Sequence, residues 1–209
     1  MKRYLVSSIL LFTSILLASA QQVEVGLRDN QFARADFKSS QGWLIGYEQS
    51  LLNVRVKEQS GRLFAGYVSD KKTWAIRSAG YYGSEFSGSW FTTGAIIDGT
   101  LQFPRVYFEG ILNPNYDSDL GFNFCYQAEF GVGLLNTSDG RDRVELFASY
   151  GDIPEFRLPT QYIRTGLKFT SNNLWVKPAL CFPLKDAASG QKYLRVICSF
   201  GWAFNLIRR

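Results

Sequence analysis

Positions 120–134 alternate without a break between two chemistries. Leu120, Phe122, Phe124, Tyr126, Ala128, Phe130, Val132 and Leu134 form one set; Gly121, Asn123, Cys125, Gln127, Glu129, Gly131 and Gly133 form the other. Successive side chains of a β-strand point to opposite faces, so this period of two sets an oily face against one environment and a polar face against another. The end of the chain repeats the arrangement, with Leu194, Val196, Cys198, Phe200, Trp202 and Phe204 opposite Arg195, Ser199, Gly201 and Ala203. So does the stretch in which Val144, Leu146, Ala148 and Tyr150 oppose Arg143, Glu145 and Ser149. Turn-forming clusters separate such segments at 39–41, 59–61, 69–71, 83–84, 98–99, 113–118, 136–142, 151–160, 171–173 and 185–191.

Counting every candidate break gives an odd number of strands, whereas single-chain bacterial membrane barrels use even numbers. Asp29-Asn30 is the break to remove. Val23, Val25, Leu27, Gln31, Ala33, Ala35 and Phe37 stay in phase through it, and a two-residue turn would set Val25 beside Arg34, so one long strand is expected. At 49–52 the phase flips from Trp43, Ile45 and Tyr47 to Leu52, Val54 and Val56, which fits a turn or a bulge. The expectation is about twelve strands, with ten and fourteen as the neighbouring counts. With both chain ends on one side, the connections at 185–191, 151–160 and 113–118 fall together on the other, and the short 171–173 turn lies with the ends.

Alternation alone also fits a soluble sandwich or barrel, whose strands usually end after about five or six residues. The stretch from Leu120 to Leu134 reaches roughly 50 Å, enough to cross a tilted membrane path of about ten residues and project beyond it. In lipid every backbone amide must be paired, so such strands have to close on themselves. The predicted fold is therefore all-β: a closed antiparallel up-and-down transmembrane β-barrel. A soluble periplasmic or secreted β-barrel or sandwich binding a small apolar ligand or glycan is the alternative, and it requires Phe122, Phe124 and Phe130 to point inward. Trp43, Tyr47, Trp74, Tyr81, Tyr82, Trp90, Tyr107, Tyr126, Tyr150, Tyr162, Trp175 and Trp202 are the candidates for headgroup-level aromatic girdles.

The first residues are of another kind. Lys2 and Arg3 precede an apolar run at 5–17 and the small residues Ala18, Ser19 and Ala20, which reads as a secretory signal peptide over residues 1–20 and a single barrel domain over 21–209. The apolar run is shorter than the roughly 18 residues a spanning helix needs. Loss of Lys2 and Arg3 lowers the formal charge from +5 to +3, scattered along strands, so a nucleic-acid partner is not expected. Cys125, Cys181 and Cys198 are odd in number and widely spaced; free thiols are expected.

The leader, the alternating strands and the aromatic last strand YLRVICSFGWAF together resemble the outer-membrane β-barrel proteins of Gram-negative bacteria across essentially the whole mature chain. The resemblance implies an outer-membrane location, contact with outer-membrane lipid including lipopolysaccharide, and insertion by the barrel-assembly machinery. The chain has no histidine. The phospholipase, protease and lipid A deacylase families of this barrel type use a catalytic His, so none of their sites carries over. No catalytic residue, cofactor or metal site is expected, although a Ser/Lys or paired-carboxylate site on the outward loops stays open. Asn113, Asn115, Asp117 and Asp119 read as a solvated outward loop rather than as calcium ligands. Charges facing lipid near the midplane cost about 2 to 4 kcal/mol for Arg or Lys, so those opposite apolar residues belong inside. Arg105, Glu109, Gln127, Glu129, Arg164, Lys168, Lys177 and Arg195 are accordingly the candidate lumen-lining residues, joined by Arg28, Arg34, Lys38, Arg55 and Lys57. They fit a non-catalytic structural or narrow-pore role.

Overall fold

The computed structural model describes residues 20–28, 32–51, 60–71, 73–137, 142–152, 161–185 and 194–205. Within them twelve antiparallel strands run in chain order around a closed barrel. They are β1 (Ala20–Arg28), β2 (Phe32–Ser39), β3 (Trp43–Ser50), β4 (Ser60–Asp70), β5 (Trp74–Glu85), β6 (Phe91–Gln102), β7 (Val106–Asp117), β8 (Gly121–Asn136), β9 (Asp142–Gly151), β10 (Gln161–Ser171), β11 (Leu174–Lys185) and β12 (Arg195–Asn205). Each pairs with its neighbours in sequence, and β12 returns to β1 from Gln22↔Asn205 to Leu27↔Phe200, so the sheet has no open edge.

The two faces of β8 separate as its alternation requires. Phe122, Phe124 and Phe130 are 72%, 56% and 41% exposed on the outside, while Cys125 and Glu129 are buried within. The soluble alternative needs those phenylalanines inside, and the barrel places them outside. β9 and β12 follow the same rule: Leu146, Tyr150, Val196 and Trp202 face out, and Glu145, Ser149, Ile197 and Ser199 face in. Past Gly133 the pairing with β9 shifts to Leu135↔Val144, and this irregularity leaves Leu134 and Leu135 both exposed.

Several expected connections move. The one long strand expected through Asp29-Asn30, which lie outside the described residues, is not formed: β1 and β2 pair antiparallel as a hairpin, with Val25 opposite Ala35 and Gly26 opposite Arg34. In this register odd positions face odd positions, so the phase passes from one strand to the next unchanged. Phase continuity is thus as much a mark of this hairpin as of one long strand. Asp98-Gly99 lies within β6, where Asp98 reaches Arg77 at 3.0 Å and Gly99 pairs with Gly110. The chain turns instead at 103–105, where the Phe103 amide donates to the Val106 carbonyl at 2.9 Å. Gly83 and Ser84 belong to β5.

Asn113, Asn115 and Asp117 are buried on the inner face of β7, not in a solvated loop. Pro114, with no amide to donate, faces outward between them, and the ladder to β6 skips from Gly94↔Asn115 to Ile97↔Leu112. The turn follows at 118–120, where the Asp117 carboxylate accepts from the amides of Asp119 and Leu120. β3 pairs directly with β4, from Trp43↔Tyr67 to Gln49↔Gly61, which restores the even count. The strand expected over Leu52, Val54 and Val56 lies outside the described residues, as do Arg55, Lys57 and residues 1–19.

Ala20 of β1 and Asn205 of β12 sit at one end of the barrel, where β2 leads to β3, β4 to β5, β6 to β7, β8 to β9 and β10 to β11; the strand ends separated by the longer stretches of sequence, β3 from β4, β9 from β10 and β11 from β12, are at the other. Tyr82, Phe91 and Tyr116 form a chain of outer rings toward the long-loop end, at centroid distances of 6.1 and 6.3 Å. Trp43 against Tyr67 and Trp202 against Phe204 mark the terminus end. Five residues leave the girdles: by strand parity Tyr81, Tyr107 and Tyr162 are buried and Trp175 turns into the lumen, and Trp90, in the connection before β6, is buried as well. All three cysteines are free; Cys125 and Cys181 are buried inside, and Cys198 lies on the outer face opposite Pro178 rather than Leu180.

The hairpin register is checked by joining its partners. With the native cysteines replaced by serine, V25C/A35C is expected to form a disulfide in the folded protein, seen as a reductant-sensitive mobility shift. A continuous strand would hold the two positions about 33 Å apart and forbid the bond.

Candidate functional site

Polar side chains on the inner faces surround a cavity of about 310 Å³, to whose wall each of the twelve strands contributes. It is therefore the barrel's own lumen and not a surface cleft. Side chains fill an eight-strand barrel, and sixteen strands leave an aqueous channel; twelve leave this intermediate space. Two further spaces adjoin it toward the terminus end. One, of about 260 Å³, shares Glu24, Asp36, Arg77 and Asp98 with it, and the other, of about 380 Å³, shares Glu109, Trp175 and Lys177.

Two charge networks brace the lumen. On β1–β6, Arg28 donates from Nε and Nη2 to the two oxygens of Glu48 at 3.1 and 2.9 Å, a bidentate pair that fixes geometry as well as charge. Arg34 meets Asp36 at 2.6 Å, and Arg77 links Asp36 at 4.0 Å to Asp98 at 3.0 Å. On the opposite wall Glu129 accepts from the Tyr107 hydroxyl at 2.6 Å and from Lys177 Nζ at 2.6 and 2.7 Å. Across the seam the Trp175 indole N–H donates to Glu24 at 3.0 Å, passing over β12.

Aromatic rings supply the dry part of the wall, and the cations lie on them. Arg28 sits over Phe32 at 4.5 Å, Arg62 over Tyr81 at 4.8 Å, Arg164 over Tyr162 at 4.1 Å, Lys168 over Tyr107 at 4.7 Å and Lys177 over Phe147 at 4.5 Å. A ring face attracts a cation while shielding it from water on that side. Two glycines make this possible: a Cβ on Gly131 would fall inside the Tyr107 ring, and one on Gly201 would meet the Trp175 indole. At the long-loop end Phe32 and Trp90 pack together, both buried.

Of the predicted lumen residues, Glu109, Gln127, Glu129, Arg164 and Lys177 line the central cavity, and Lys168 lines the adjoining space with Glu109 and Lys177. Arg105 does not. It is exposed in the turn after β6, beyond the strands whose parity assigned it inward. Arg195 opens β12 with the inward parity of Ile197 and Ser199 but is outside the walls of all three spaces, at the long-loop rim. Sequence reasoning missed the counter-ions Glu48 and Asp98, together with Arg62 and Arg77. It also missed the inward rings of Phe64 and Phe147. Inner-face parity was the available signal for all of them.

The central wall carries Arg28, Arg34, Arg62, Arg77, Arg164 and Lys177 against Glu24, Asp36, Glu48, Asp98, Glu109 and Glu129. Six face six, so the wall of the central cavity carries no excess of basic groups. Among the described residues no group of three or more Cys, Asp or Glu is placed to hold a metal ion. What this arrangement offers a visitor is non-covalent: paired charges, amide and hydroxyl groups, and ring faces, all held in fixed orientations.

No protein-family model matches the chain, and no curated protein sequence does. Solved structures do. The KdgM porin in complex with disordered oligogalacturonate superimposes with a TM-score of 0.55 at 10% identity, covering 88% of this chain and 98% of that one. The KdgM porin alone gives 0.53 at 9% identity over 88% and 98%, and the NanC porin gives 0.50 at 10% identity over 89% and 99%. The chain has the fold of these outer-membrane β-barrel porins.

The Glu129 network makes a graded prediction for urea unfolding in detergent micelles. Y107F removes one charge-assisted bond and is expected to cost about 1.5 kcal/mol. K177M leaves a buried carboxylate without its counter-ion and is expected to cost about 3 kcal/mol or more. Equal stability of K177M and the native protein would contradict the assigned pairing.

Proposed function

We propose that this chain is exported, loses residues 1–20, and inserts into the outer membrane as a narrow pore for small hydrophilic solutes. The observation that carries the reading is the inversion of a soluble core: large apolar residues cover the outside of a closed barrel, and a cavity lined by charged residues occupies its axis. Water would not tolerate that outer face, and hydrocarbon requires it. Short turns with the chain ends and longer connections opposite match membrane barrels whose termini face the periplasm. The assembly machinery and lipopolysaccharide are the partners this location supplies.

The likeness to the KdgM porin is one of fold. Its complex with oligogalacturonate, a polyanion, has no counterpart in the central lumen here, whose charges balance. Small size and polarity are the selection this wall supports, in keeping with a cavity of about 310 Å³. The role is non-catalytic: Glu129, a buried carboxylate of the inner wall, is held by Tyr107 and Lys177 and is not presented to a substrate bond.

Three measurements test the proposal together. Membrane extraction is expected to need detergent, and the folded protein to shift in gel mobility on boiling. In planar bilayers it is expected to conduct, and R164E, which reverses a charge on the cavity wall, is expected to move ion preference toward cations without unfolding the barrel. A folded barrel that gives no conductance overturns the pore.

A further inference from the structure

The 380 Å³ space at the terminus end holds both signs of charge, and most are committed within the wall. Lys177 is taken by Glu129 at 2.6 and 2.7 Å, and Arg143 by Glu145 at 3.4 Å. Two are not. Glu109 on β7 and Lys168 on β10 line this space, and neither makes a hydrogen bond or an ion pair among the described residues. Lys168 instead rests its ammonium on the Tyr107 ring. Tyr107 and Glu109 are two apart on the inner face of β7, so a cation from β10 is delivered beside a β7 carboxylate without touching it. An unpaired cation and an unpaired anion in one confined space call for water or a solute to answer them.

The pair of charges says what kind of solute. Lys168 rests on the Tyr107 ring and Glu109 follows two positions along the same face of β7, so both charges border one space without meeting. A molecule that carries an ammonium and a carboxylate answers both, each through a charge-assisted contact. We infer that this space is a binding site for a small zwitterion, an amino acid or dipeptide, with its ammonium on Glu109 and its carboxylate on Lys168. Of the two uncommitted groups, Lys168 attracts a plain anion while Glu109 repels it, and a plain cation meets the converse, so the site discriminates by rejection as well as attraction. The inference deepens the pore reading and rests on it for access, since the space shares Glu109, Trp175 and Lys177 with the wall of the central cavity.

Calorimetric titration of the detergent-folded barrel with alanine and dialanine tests it, beside N-acetyl-dialanine, which keeps only the carboxylate, and dialanine amide, which keeps only the ammonium. Saturable binding of a zwitterion is expected. Each one-charge analogue, and each of E109Q and K168Q, is expected to weaken it about tenfold or more. Boiling-sensitive gel mobility confirms that both variants are folded. Equal binding of the zwitterion and its one-charge analogues, native-like binding by both variants, or no binding of alanine or dialanine overturns the site. Bilayer conductance on the same preparation separates the two readings: a barrel that conducts but does not bind overturns the site alone, and one that binds but does not conduct overturns the pore alone.

Discussion

Backbone amides that cannot turn to water must turn to one another, and everything else in this molecule follows from that constraint. A sheet meets it only by returning its last strand to its first, as β12 does to β1. Closure then divides every strand into an outside and an inside with no third option. Once Phe122 faces outward, Asn123 and Glu129 have only the lumen to face. The seam where the strands meet is tied a second time from within, because Trp175 on β11 reaches across Gly201 of β12 to Glu24 of β1.

Twelve strands enclose more room than backbone alone can fill, and the lumen fills it with groups that are costly to bury. Charges removed from bulk water are tolerated when geometry and additional hydrogen bonds are good. The barrel supplies both by pairing ions between strands and laying cations on rings. Tyr107 shows how closely the parts depend on one another: its ring lies over Gly131, its hydroxyl holds Glu129, and its face carries Lys168. A side chain at Gly131 would displace the ring and, through it, the orientation of a carboxylate and an ammonium. Glycine there is a packing requirement of the neighbouring strand.

The strands with strict alternation, β8, β9 and β12, were legible because one face is uniformly oily. Asp98-Gly99 and the stretch at 113–118 were misread because the residues that make turns, Asn, Asp, Gly and Ser, are the same ones that line a wet lumen. Local composition cannot distinguish the two, and the Arg77–Asp98 pair that keeps the first in a strand joins β5 to β6. The hairpin of β1 and β2 was hidden by a register that sets odd positions opposite odd positions. Within the site, parity placed Glu109, Gln127, Glu129, Arg164, Lys168 and Lys177 inside, and it failed for Arg105 because parity has no meaning past the end of a strand. Partnerships were beyond it. Glu129 and Lys177 are 48 residues apart, and only the curvature of the closed sheet brings them together.

Pairing has a consequence for any solute inside the lumen that the residue types alone do not reveal. A lumen with six positive and six negative side chains has little net field at a distance, so it does not steer ions of one sign from far outside as a strongly charged mouth would. Within a few ångströms the fields are large and oriented, because most of these ions are fixed by a partner or a ring. Selection in such a passage acts by contact. A solute gains from the wall only where the wall has unspent hydrogen-bonding capacity, and a paired site such as Glu129 with Lys177 would have to be broken before it could offer any. The groups that set selectivity are then the few left without partners, and the dense pairing around them holds those few in place.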